Sequence, residues 1–283
     1  MNEQLQKKVD FAIRLLQGAE KMAEKVGQPV EICYSGGKDS DVILELARMS
    51  GIKYRAIYKN TTIDPPGTIK HALDNGCEVV RPEKSFREII EQAGIPSRFR
   101  RSCCDWLKEY KILDYAVVGI RRVESIKRAK NYHEPEYCRE YTKAIKARQY
   151  MPILEWSDKD VQGFIEARGI QCHPLYYDKK GTFYVRRRLG CMGCPLKNKR
   201  LRLQDFKRYP NMVKMWCRAG QKYLDTHPDS NISEEYYENA FEWFVSTVFF
   251  KDIYEFREKT AANLFYDKVD CKQFLMDYFN IKL

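Results

Sequence analysis

Long apolar runs are missing from this chain. No stretch approaches the ~18–20 consecutive apolar residues of a membrane-spanning helix, and the mean hydropathy is −0.59, so a membrane span is not expected. The opening MNEQLQKKVDFAIRLLQ is charged and helically periodic. It lacks the apolar core of a secretory leader, which gives a cytoplasmic protein as the expectation. No internal repeat or low-complexity stretch is visible, as suits an ordinary globular chain. Histidine is scarce: His71, His133, His173 and His227 are the four, without paired spacing. Neither a Ser-His-Asp set nor a pair of catalytic carboxylates can be read, and His173, next to Pro174, is taken as structural. Acidic residues run short, 39 against 50 Lys and Arg, for a net charge of +11.

What is present begins with size. The 283 residues allow one large domain or two modest ones and can bury a core without disulfide staples. The positive charge is concentrated. Between Lys179 and Arg208 stand eleven Lys and Arg against Asp205 alone, so this window carries +10 of the net +11. Such a run favours a polyanion as partner, a solvated loop being the plain alternative. Ten cysteines in a chain of this kind argue for metal or catalysis before disulfides. Cys103-Cys104 and the Cys-x-x-Cys of Cys191 and Cys194 are patterned, with 86 residues between the inner pair. Cys33, Cys77 and Cys172 read as small buried hydrophobes.

Strand and helix signals alternate over the first two thirds. Residues 3–25 repeat Leu5, Val9, Ala12, Ile13 and Leu16 at helical spacing. Strands are expected at Val30–Tyr34, Tyr54–Tyr58, Cys77–Val80 and Tyr115–Ile120, and helices after Gly37, over Ser85–Gln92 with Ser85 as cap, and from Ser157-Asp158 to Arg168-Gly169. The pattern predicts an α/β fold with a doubly wound, mostly parallel sheet, whose ligand sits beyond the carboxyl ends of the strands. Beyond residue 200 strand signals stop, and the aromatic run at 236–256 has helical spacing. Two regions are expected: residues 1–199, and a helical C-terminal region over 200–283.

The densest local signal is Ser35-Gly36-Gly37-Lys38-Asp39-Ser40 between a strand and a helix. Two glycines allow close approach of backbone to phosphate, and the following helix N-terminus adds its positive end. Lys38 supplies a point charge and Ser40 a hydroxyl. The spacing is not that of a Walker P-loop. Asp39 either orients Lys38 or holds Mg²⁺, or else caps the helix.

The hexapeptide after a strand resembles the PP-loop of the ATP-pyrophosphatase superfamily, in its branch similar to phosphoadenosine phosphosulfate reductase. The resemblance continues through residues 60–67, Cys103-Cys104 with Lys108, Val118-Gly119-Ile120-Arg121 with Glu124-Ser125, Pro152-Ile153 with Trp156-Ser157-Asp158, Pro174-Leu175-Tyr176, and Gly190-Cys191 with Cys194-Pro195. It spans about residues 28–197. The fold it implies is that of the adenine nucleotide alpha hydrolase-like group. It implies ATP or a sulfonucleotide as ligand, with Mg²⁺. The implied nucleotide site is Ser35, Gly36, Gly37, Lys38, Asp39, Ser40, Asp64, Gly119 and Arg121, of which Lys38 and Asp39 would act in catalysis.

Four thiolates are the right number for a [4Fe–4S] cluster or a structural zinc. The adjacent pair Cys103-Cys104 with Cys191 and Cys194 resembles the cluster ligation of assimilatory adenylylsulfate reductases, and flanking Arg100, Arg101, Lys108 and Arg186–Arg188 could offset its charge. Reductases of this branch also carry a C-terminal Glu-Cys-Gly-x-His segment. The sequence DKVDCKQFLMDYFNIKL holds Cys271 without Gly or His beside it, and a helix-packing role is expected for it. The leading expectation is therefore an ATP pyrophosphatase that adenylylates an acceptor for sulfur transfer, with DNA phosphorothioation preferred and tRNA thiolation related. A sulfonucleotide reductase and a non-catalytic nucleotide- or nucleic-acid-binding module are the alternatives. Expected partners are a nucleotide, a nucleic acid on the Lys179–Arg208 window, a cysteine desulfurase as sulfur donor, and a second copy of the chain.

Overall fold

The structure, a computed structural model, describes residues 1–140, 146–230, 237–261 and 269–283. Residue 236 of the aromatic run thus lies outside the described residues. The chain divides into two compact units that share it by turns. The first comprises residues 1–60, 64–81 and 109–190; the second comprises 61–63, 82–108 and 191–283.

In the first unit, helix α1 (Glu3–Glu24) starts where the Asn2 side chain accepts the Leu5 amide at 2.8 Å. Leu5, Val9, Ala12, Leu16, Ala19 and Ala23 form its buried stripe, spaced by three and four as an amphipathic helix requires. Strand β1 (Val30–Tyr34) leads into α2 (Lys38–Ser50), which ends on Gly51 at φ +71°. Glycine takes that left-handed cap without penalty. Then come β2 (Tyr54–Lys59), α3 (Thr68–Asp74) and β3 (Glu78–Val80). The chain next contributes α4 (Phe86–Ala93) and α5 (Ser102–Leu107) to the second unit and returns for β4 (Tyr115–Val117). Helix α6 (Ile126–Asn131), strands β5 (Glu136–Glu140) and β6 (Lys146–Tyr150), and α7 (Asp158–Arg168) follow.

The six strands lie in the order β3-β2-β1-β4-β6-β5. All neighbours are parallel except β5 and β6. This is the expected mostly parallel sheet with flanking helices. Ile32, Val42, Leu46, Val117, Trp156 and Phe164 are buried in one core with the α1 stripe. Two details differ from the sequence reading. Strand β4 stops at Val117, three residues early, because the chain must leave the sheet before Gly119. The β5–β6 pair was not foreseen: Glu136–Glu140 is mostly exposed, and Lys146–Tyr150 buries only Ala147, Gln149 and Tyr150, so no β-branched run marks it.

The second unit is helical among its described residues. With α4 and α5 it holds α8 (Lys199–Arg208), α9 (Asn211–Thr226) and the helices Ala240–Phe249, Ile253–Ala261 and Cys271–Phe279. Phe206, Trp216 and Phe244 meet edge to face, with ring centroids 5.0–5.9 Å apart, the geometry aromatic quadrupoles favour. Of the aromatic run, Trp243, Phe244, Phe249 and Phe256 are buried in the core, as expected of its helical spacing, whereas Tyr254 is exposed.

Candidate functional site

From β1 the chain moves outward through β2 and β3, then returns to the opposite side of β1 as β4. The connections leaving β1 and β4 therefore run apart at their carboxyl ends, and such a switch point opens a crevice in a parallel sheet. Ser35–Ser40 leaves β1 there and Gly119–Arg121 leaves β4. Gly36 has φ +74°, and a Cβ on it would lie 2.7 Å from Thr68 Cγ2. A Cβ on Gly119 would lie 3.1 Å from both the carbonyl carbon and oxygen of Asp39. Those two glycines let the loop and the β4 exit close on one another. Gly37 is the N-cap of α2 and offers no side-chain acceptor, and the Ser40 and Asp41 amides donate to its carbonyl at 2.8 and 3.0 Å. The Lys38 amide donates to Tyr176 Oη at 3.2 Å, as does the Leu189 amide.

The charges form a chain. Lys38 Nζ lies 2.7 Å from Asp39 Oδ2, and Arg121 Nε lies 2.8 Å from Asp39 Oδ1. Arg121 also reaches Asp158 Oδ1 at 3.0 Å and the Trp156 carbonyl at 3.3 Å. Both cations are about 3% exposed. Asp39 is therefore not the helix cap, which is Gly37, and each of its carboxylate oxygens faces a cation. Ser40 Oγ donates to the Gly37 carbonyl at 2.6 Å and Ser35 Oγ to Ser40 Oγ at 3.3 Å.

Ser35, Gly37, Lys38, Asp39 and Ser40 line a cavity of about 230 Å³ with Gly119, Tyr176, Arg128 and Arg188, whereas Gly36 and Arg121 do not line it; Arg128 was not singled out in the sequence, and Arg188 was expected beside the cysteines. Burial holds the Arg128 pKa below its ordinary value, and the Arg188 charge pushes the same way. Arg128 is ion-paired with Glu124, and Arg188 Nη2 donates to the Glu124 carbonyl at 3.0 Å. Two arginines on one cavity wall with Lys38 suit a multiply charged anion. The volume is below the ~300–1,000 Å³ of sites that enclose a whole small ligand, and it matches the phosphate portion of one. Asp64 does not line this cavity; it accepts the Tyr58 hydroxyl at 2.6 Å.

The four patterned cysteines belong to the second unit. Cys103 and Cys104 lie in α5, and Cys191 and Cys194 precede α8. Gly193 between the latter pair has φ +68°, and a Cβ there would fall 2.7 Å from Phe206 Cζ. Its amide is held by Asp205 Oδ2 at 2.9 Å, and the Met192 amide by the Ile63 carbonyl at 2.9 Å. The thiols are neighbours. A hydrogen bond with Cys104 pushes the Cys103 pKa up, burial adds to it, and Cys104, Cys191 and Cys194 reinforce it. Arg202, 5% exposed, lies near Cys194: burial brings its pKa down to about 10, against an opposing pull from Cys194. Its Nη2 has no partner. Soft donors in the right number, with a buried cation beside them, fit a [4Fe–4S] cluster chemically. As placed they are neighbours rather than a ligating set: among the described residues no three Cys, His, Asp or Glu side chains form a metal-holding group.

The remaining sequence candidates sort by burial. Cys271 opens the helix Cys271–Phe279 and is buried. Cys77 and Cys172 are buried and burial pushes their thiols up, as expected of inert packing groups, whereas Cys33 is half-buried and lines the 230 Å³ cavity. The window from Lys179 to Arg208 is shared between the two units at residue 190. Several of its charges hold the fold. Arg202 donates to the Gly193 and Thr247 carbonyls, Lys197 pairs with Asp205 at 2.7 Å, and Arg187 donates to the Tyr177 carbonyl at 2.6 Å. No described helix is long and apolar enough to cross a membrane.

The chain is similar to several known proteins. An uncharacterized protein of Methanocaldococcus jannaschii is 28% identical over 222 residues, 72% of this chain and 44% of that protein. The adenosine 5'-phosphosulfate reductase of Mycolicibacterium smegmatis is 29% identical over 144 residues, 48% of this chain and 56% of the reductase. The chain spans about half the length of the curated relatives it matches. Among solved structures, a phosphoadenylyl-sulfate reductase from Candida auris, in a phosphate complex, is 16% identical with a TM-score of 0.42, covering 68% of this chain and 96% of that one. The profile of the phosphoadenosine phosphosulfate reductase domain matches residues 29–197, a span that holds the loop, the arginines of the cavity and all four patterned cysteines, and the chain belongs to that family.

Proposed function

We propose that this protein cleaves ATP between the α and β phosphates to activate an acceptor for sulfur transfer, the acceptor being a nucleic-acid phosphate of the DNA phosphorothioate kind. The observation that carries the reading is the cavity at the β1–β4 switch point, where Lys38, Arg128 and Arg188 gather around a glycine loop. An acceptor phosphate oxygen attacks the α-phosphorus of ATP, and pyrophosphate leaves with the broken P–O bond's electron pair. A persulfide sulfur from a donor such as a cysteine desulfurase then attacks the acceptor phosphorus and expels AMP, and a second thiol cleaves the S–S bond, leaving one sulfur on phosphorus and the two thiols joined as a disulfide. The cations and loop amides stabilise charge that grows on the departing pyrophosphate. Arg121 holds Asp39, and Asp39 in turn holds Lys38 toward the loop. Mg²⁺ would arrive with the nucleotide, since Asp39 is committed to its two cations. Cys103, Cys104, Cys191 and Cys194 are the residues that would hold a [4Fe–4S] cluster, which when bound would supply soft iron able to take a sulfur ligand.

The test has two parts. Pyrophosphate release from ATP is measured with and without DNA, and iron and sulfide are assayed after anaerobic purification. Pyrophosphate formation supports the reading; its absence, with thiol-dependent sulfite release from a sulfonucleotide instead, supports an adenylylsulfate reductase. The similarity to the adenosine 5'-phosphosulfate reductase favours that second reading.

A further inference from the structure

A second cavity, of about 870 Å³, lies wholly within the second unit. Its volume is in the range that encloses a whole small ligand. Its wall alternates cation and aromatic ring. Arg98, Phe99 and Arg100 are consecutive, and Phe99 is 86% exposed. Tyr254 is 67% exposed on the same wall. An apolar ring exposed that far to water, with an arginine on each side of it in sequence, contributes nothing to a core. Deeper in the wall sits Arg202, 5% exposed, whose Nη2 is buried without a hydrogen-bond partner. An unpaired buried guanidinium nitrogen costs free energy that an anionic oxygen would recover.

We propose that this cavity binds an unpaired nucleotide of single-stranded DNA, with the base stacked on Phe99 and a phosphate oxygen taken by Arg202. Rings that stack bases beside cations that track the backbone are the general means of holding a single strand. Duplex DNA keeps its base faces inside the stack and cannot offer one to Phe99 without being opened. The identity of the strand as DNA rests on the acceptor reading above; the stacking geometry does not.

The experiment is fluorescence anisotropy on the full chain, with a labelled oligothymidine of about 12 nucleotides, the matching duplex and an oligouridine of equal length. The single strand is expected to bind at least about tenfold more tightly than the duplex. Phe99→Ala should weaken it by about tenfold, the scale of one lost stacking contact, and Phe99→Trp should restore it. ATP affinity should be the same in all three proteins. Equal binding of the duplex, or an unchanged affinity in Phe99→Ala, would overturn the proposal. A clear preference for oligouridine would overturn the DNA assignment. Phe99-dependent binding without pyrophosphate release from ATP would leave this site standing and remove the proposed reaction, so the two fail separately.

Discussion

Lys38 shows how much one side chain depends on its neighbours. It is about 3% exposed and salt-bridged to Asp39, yet Asp39 also has Arg121. Removing Lys38 therefore does not leave a bare buried carboxylate, the usual source of a large penalty. Lys38→Met, which keeps the volume, is expected to shift the melting temperature by only a few degrees. It should weaken ATP by about 10–150-fold, the worth of one charged hydrogen bond, as read by calorimetric titration. Gly193 is the opposite case, a position where any Cβ meets Phe206 and the backbone is left-handed. Gly193→Ala is expected to destabilise the second unit by about 1–3 kcal/mol in urea unfolding. His173 gives a pH dependence. Burial, then the nearby His71, holds its pKa below the ordinary value of about 6.5. The unfolded chain thus takes up its proton first, and stability present above pH ~6.5 is lost as the pH falls toward the folded value. The melting temperature should drop between pH 7.5 and 5.5, and His173→Asn should flatten that drop.

At the scale of elements, helix ends were the most legible feature because their signals are local. Ser85 with Glu88 and Ser157 with Asp160 both form reciprocal caps, and Gly169 closes α7 in the left-handed conformation. Ser157→Ala should cost about 1 kcal/mol, measured by chemical denaturation, because Asp160 would lose its hydroxyl partner while keeping Lys8 at 2.6 Å. The buried parallel strands were legible for a related reason: both faces are covered, so their apolar runs are unbroken. The β5–β6 pair was hidden because an edge pair needs little apolar sequence. The candidate site divides the same way. Ser35–Ser40, Gly119 and Arg121 could be read from the loop and its resemblance to a family. Arg128 could not, and Arg188 was read as a neighbour of the cysteines, since both are ordinary basic residues until the fold sets them on one cavity. Both are tied to Glu124, one through its carboxylate and the other through its carbonyl.

At the scale of the molecule, the aromatic core of the second unit takes Phe86, Ile89, Ile90 and Leu107 from the middle of the chain as well as Phe206 and Trp216 from its last third. Residues 200–283 made alone would lack those partners. They are expected to show no cooperative melt by circular dichroism, whereas the full chain should. The sharing of the chain between units was not legible because apolar spacing marks a buried face without naming its partner. That sharing also sets a clock. Cys104 leaves the ribosome 87 residues ahead of Cys191, and Cys103 one residue earlier still. At about 5–20 residues per second, the first pair waits roughly 4–17 s for the second. During that interval two adjacent thiols are exposed to oxidants and stray metal ions, so the fate of the cysteine set is decided as much during translation as after it.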